Sequence, residues 1–203
     1  MKSIYLSNWT NHDLRNVRTY VTSYTLRDDD VELYKLDLNK QMGFYQISEF
    51  VASNGSDHFI IEQTNRVGTP KVAAFDKDSG RMLGSFKGNH FVDSDERLLF
   101  SIKSVAQLKG LDEEDCDKDD FAAISAEHQH VIALFCHLPR KPKSGHLLAH
   151  LKILLRGISS APKDIYKIII KDPDQCDHRM LCAIAVLLHS RGGLQIDTKV
   201  TPY

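Results

Sequence analysis

Asp172-Pro173-Asp174-Gln175-Cys176-Asp177-His178-Arg179, then Met180–Leu188, then His189-Ser190-Arg191-Gly192-Gly193, is the stretch around which the chain is organised. Met180 to Leu188 contains no polar side chain. Asp172 suits a helix cap, Pro173 the first helical position, and Gln175 completes an Asp-x-x-Gln capping box. Asp174 and Asp177 favour the positive end of such a helix, and His189 and Arg191 the negative end. Gly192 offers a left-handed C-cap. A helix over Pro173–Arg191, apolar around its whole circumference, is either a core helix or a membrane span. A span needs roughly 20 apolar residues, and this run is about half that. Burial in protein is the expectation.

Working outward, the 203 residues are read as a single domain, 1–203, with 1–30 as a peripheral N-terminal extension. A chain of this length can bury a self-sufficient core. A formal net charge of −1 gives no global argument for nucleic acid or anionic membrane as a partner. Ten histidines let the charge swing positive below about pH 6.5. The N-terminus lacks a signal-like apolar core, and Cys116, Cys136, Cys176 and Cys182 have no paired spacing. Free thiols in a reducing, cytoplasmic compartment are expected.

Upstream of the apolar run the chain reads as successive strands. Tyr20–Leu26 and Val31–Leu38 are β-rich, and Phe44–Val51 follows. Asn54-Gly55 turns the chain into His58–Glu62. Lys71–Phe75 and Arg81–Phe86 flank Asp76-Lys77-Asp78-Ser79-Gly80, with Gly80 supplying the positive φ of a turn. Leu98–Val105, Val131–Leu138 and Ile165–Ile170 are further strands, while Phe121–His128 fits a short helix or a strand entry. Ser144–Gly157 fits either a helix or a strand, with local signals leaning slightly to helix. The fold class is α+β: mostly an antiparallel β meander around a buried C-terminal hydrophobic helix. It either closes as a barrel or stays an open sheet with that helix on one face.

Chemistry-bearing patterns are sparse. His146 and His150 share a face of a helix and could hold one metal, but position 147 is Leu where a metalloprotease needs Glu. His128 and His130 share a strand face, with His137 further along. Two pairs of unrelated surface histidines is the plainer reading. Cys176, His178 and Cys182 do not match a zinc knuckle. Asp115, Asp117 and Asp119 alternate as in calcium loops, but the sixth position is Asp120, not Gly, and the twelfth Ala126, not Glu. Gly84-Ser85-Phe86-Lys87-Gly88 misses the nucleophile-elbow frame. Arg140, Lys141 and Lys143 form a basic, proline-bounded turn able to meet a phosphate or lipid headgroup.

The order of parts resembles the Tubby C-terminal-like superfamily, which includes the phospholipid scramblases and the LURP-one-related proteins. The residues that carry the likeness are the hairpin Phe75-Asp76-Lys77-Asp78-Ser79-Gly80-Arg81-Met82-Leu83-Gly84 and the strand Ile165–Ile170 feeding the helix. It covers about residues 30–200. The resemblance implies antiparallel strands closed around a hydrophobic helix, and, through the scramblases, lipid or calcium contact. No ligand set transfers residue by residue.

The reading is therefore a non-enzymatic binding or regulatory domain that meets a protein partner or a lipid headgroup through its loops, with Arg140, Lys141 and Lys143 as ligand-binding candidates. No cofactor is expected. The alternative is a metal-dependent hydrolase using His128, His130, His146 and His150.

Overall fold

The structure, a computed structural model, describes residues 2–12, 20–42, 45–64, 71–108, 116–138 and 163–190. Its strands are β1 (Lys2–His12), β2 (Tyr20–Asp28), β3 (Val31–Met42), β4 (Tyr45–Ala52), β5 (His58–Thr64) and β6 (Lys71–Asp76). They continue as β7 (Met82–Lys87), β8 (His90–Val92), β9 (Leu98–Ser104), β10 (Phe121–Ser125), β11 (Val131–His137) and β12 (Lys163–Ile170). Each pairs antiparallel with the next, and β1 pairs with β12 from Lys2↔Ile170 to Asn8↔Lys163. The result is a closed barrel in which every described strand has a hydrogen-bonded neighbour on each side.

Helix α1 (His178–Ser190) runs inside this barrel. Leu181 to Leu188 are consecutive, and none exceeds 2% exposure. Steps of about 100° carry eight residues round the full circumference, so α1 is enclosed on every side. It approaches β6 and β12, which lie opposite one another in the ring. Its side chains join one apolar cluster with Ile4, Tyr24, Phe50, Phe59, Phe100 and Ile168, drawn from staves all around the barrel. Burying each Leu, Ile or Val is worth on the order of 1.5–3 kcal/mol, so the helix is a large part of the core. Among the described residues no helix is long and apolar enough to cross a membrane.

Local chemistry sets the turns. Gly55 (φ +71°) and Gly80 (φ +67°) take the left-handed conformations expected of their loops. Asp76 Oδ1 accepts from the backbone and hydroxyl of Ser79 at 2.8 and 2.6 Å, closing the hairpin between β6 and β7. Gly84 has a steric role: a Cβ there would collide with the Phe91 ring and lie 2.9 Å from the Val92 carbonyl oxygen. Phe91 stacks on Phe100 at 4.7 Å, as Phe50 does on Phe59 at 4.9 Å.

Two expectations change and one open choice is resolved. The described part of residues 1–30 is not a peripheral extension: β1 and β2 are staves, and β1 makes the closing seam with β12. The helix does not start at Pro173. Asp172 caps a single 3-10 turn, Pro173–Gln175, and Cys176 then returns to extended backbone, its thiol donating to the Ile132 carbonyl at 3.4 Å. Asp177 caps α1 instead, Oδ1 accepting from Arg179 N–H at 2.8 Å. This break lets the chain leave β12 and turn into the barrel. Phe121–Ser125 is a strand, followed by a turn with Gln129 at φ +54°. The ambiguous segment 144–157 lies outside the described residues.

Candidate functional site

Arg140, Lys141, Lys143, His146 and His150 lie outside the described residues. His128 and His130 are brought together on the turn between β10 and β11, their rings stacked at 5.8 Å. His130 Nε2 lies 2.9 Å from Asp172 Oδ2, which ties this turn to the segment entering α1. That hydrogen bond, outweighing partial burial, holds the Asp172 carboxyl below its usual range. Glu127 is 3.8 Å from His128. Among the described residues this pair does not join a three-ligand group of metal-site dimensions.

The polar clusters that leave no sign in the sequence sit at the two ends of α1. At its start, Arg179 reaches three carboxylates, from its own helix cap, from β6 and from the loop before β5. Asp177 receives the guanidinium in a fork, Nε to Oδ1 at 3.0 Å and Nη2 to Oδ2 at 2.7 Å. Nη1 donates to Asp76 Oδ2 at 3.0 Å, from the end of β6, and to Asp57 Oδ1 at 3.5 Å, from the loop before β5. Tyr34 of β3 donates to Asp57 Oδ2 at 2.7 Å. Three carboxylates thus surround one guanidinium. The Asp177 hydrogen bond is the main reason the Arg179 pKa rises. Burial, then the hydrogen bond to Asp57, pushes the Tyr34 phenol up. The Ser79 hydrogen bonds, with Arg179 adding, hold Asp76 down.

At the other end, His189 Nδ1 and the Tyr24 hydroxyl are 2.9 Å apart, with their rings edge to face. His137, the last residue of β11, packs edge-on to Tyr166 at 5.4 Å. Burial is the main cause that lowers the His189 pKa, and His137 adds to it. Burial also raises Tyr24, and raises Tyr166 to about 12. This end is built of aromatic rings where the first is built of ion pairs. Only the types were visible in sequence: Tyr24 and His189 are 165 positions apart. Both ends hold the helix, and the Tyr24 hydroxyl that meets His189 is buried.

Comparison with family models, with curated proteins and with solved structures finds no match.

Proposed function

We propose that the chain is a non-enzymatic binding domain that docks on anionic lipid headgroups through the connection between β11 and β12, with Arg140, Lys141 and Lys143 as contacts. The observation that supports this most is the filled interior. Leu181–Leu188 occupy the space in which a barrel of this kind would otherwise take a ligand, so recognition falls to the loops. That connection leaves β11 at His137, close enough to His189 for the two to interact, which places its exit at the C-terminal end of α1. The resemblance to the Tubby-like proteins points the same way.

Each basic residue near an anionic surface contributes about 1 kcal/mol, so the three together are worth on the order of a hundredfold in binding. Co-sedimentation with phosphatidylcholine vesicles, with and without phosphatidylserine or a phosphoinositide, tests this. Binding should require the anionic lipid, fall with salt, and drop by about that factor in the Arg140→Gln/Lys141→Gln/Lys143→Gln variant. Equal binding to neutral vesicles, or a triple variant that binds as well as the parent, would refute it.

A further inference from the structure

The outer face of β10–β12 carries its own small apolar cluster of Val105, Ala122, Ile124, Leu134, Cys136 and Ile169. Cys116 packs against it. At this cluster, Cys116 Sγ, a carboxylate oxygen of Asp120 and Cys136 Sγ all lie within 4.8 Å of one another. Strand register explains the meeting. Phe121 pairs with Phe135, so the next residues outward, Asp120 and Cys136, fall opposite each other. A turn folds Cys116 back over them: Asp120 N–H donates to the Asp117 carbonyl at 3.0 Å, and Asp117 N–H to Asp120 Oδ2 at 2.7 Å. The second Asp120 oxygen accepts from His137 N–H at 2.9 Å.

We propose that Cys116, Asp120 and Cys136 form a site for a zinc-class divalent cation, pinning the segment before β10 to the outside of β11. Zinc binds sulfur at about 2.3 Å and carboxylate oxygen at about 2.0–2.2 Å, so tetrahedral ligands stand about 3.5–3.8 Å apart. The donors found here need only side-chain adjustment to reach that spacing. Thiolates select zinc or its tetrahedral analogues over calcium and magnesium, which prefer oxygen. The two backbone N–H groups on Asp120 orient its carboxylate, as outer partners of ligating carboxylates do. Cys136 and Asp120 are buried, whereas Cys116 is half-exposed and gives the ion a way in. Cys182 is the contrast: it is wholly buried within the apolar interior cluster. On binding, each of the two thiols loses its proton to solvent, each sulfur donates a pair to the metal, and water fills the fourth position. No electron transfer is involved.

Cobalt(II) titration of the reduced, chelator-treated full chain tests the site. One equivalent should bind with a thiolate-to-cobalt charge-transfer band and the strong visible bands of tetrahedral cobalt, and zinc should displace it. Cys116→Ser and Cys136→Ser should each weaken binding by about a hundredfold or more, and Asp120→Asn by at least about tenfold. Cys176→Ser and His128→Ala should bind as the parent does. In the unsubstituted protein, one equivalent of zinc should protect Cys116 from alkylation, read by mass spectrometry, so the test does not depend on any variant folding. A folded parent without the band, unprotected Cys116, or a band lost in His128→Ala but kept in Cys116→Ser would overturn the assignment.

Discussion

The two ends of α1 solve the same problem by opposite means. Both must fix an apolar helix inside a barrel, and both run against the helix dipole. Arg179 puts a cation in the first turn, where the dipole favours anions. His189 sits in the last turn, where the dipole favours a charged imidazole, yet burial lowers its pKa. Dipole effects are worth about 0.3–1 kcal/mol and fade within a turn. Three carboxylates outweigh the dipole at one end, and desolvation outweighs it at the other. The barrel wall, more than the helix itself, decides which groups carry charge.

Removing the shared core removes the comparison. Ala185→Asp places a carboxylate midway between the ends, at a fully buried position. It should cost more than about 4 kcal/mol and abolish the cooperative unfolding transition in denaturant followed by circular dichroism. A soluble variant with a normal transition would show that α1 is not enclosed. Arg179→Met strikes the charged end alone, leaving Asp177, Asp76 and Asp57 to repel one another. A loss of about 2–3 kcal/mol is expected at pH 7 in urea titration. The deficit should shrink in acid as the carboxylates protonate. Tyr34→Phe removes one hydrogen bond from the same network and should cost about 1 kcal/mol.

The smallest effect at neutral pH belongs to the other end, and it should appear as a slope. His189 is held below the usual imidazole pKa, so its contribution is complete above about pH 6.5 and declines as the pH falls through that value. His189→Gln should change stability by about 0.5 kcal/mol or less at pH 7, provided the amide oxygen replaces Nδ1 as partner of Tyr24. It should flatten the fall in melting temperature between about pH 7 and 5. Asp76 is depressed too, so its contribution is lost only as the pH falls through and below the ordinary carboxylate range. Arg179→Met should therefore leave the imidazole window unchanged. If both variants altered the same window, the ends would not be independent.

Much of this architecture was legible in the sequence, for local reasons. Asn54-Gly55 and Ser79-Gly80 mark hairpins because few other residues take their positive φ. The run to Leu188 marks the core helix because nothing in it tolerates water. β1 was not legible, since its place depends on a partner strand at the far end of the chain. β8 spans only His90–Val92, too short to show alternation. The helix start was misplaced because Asp172 and Asp177 both cap, and only the packing of Cys176 between them separates the two turns. The site groups were the least legible. Asp120 meets Cys136 through strand register, and Arg179 meets Asp57 through the packing of α1 within the barrel, neither of which leaves a spacing motif.

The seam between β1 and β12 has a consequence in time. Ser7 and Asp164 bond across it from 157 positions apart, while every other pairing joins consecutive strands. Closing so long a loop is entropically costly before its contacts form, and such topologies fold slowly. α1 follows the last stave in the chain, and a filled interior has no room for a late arrival. The ring is therefore expected to close only around a packed α1. Until α1 packs, the stretch Leu181–Leu188 is exposed, so light scattering during refolding is expected to peak before α1 is enclosed.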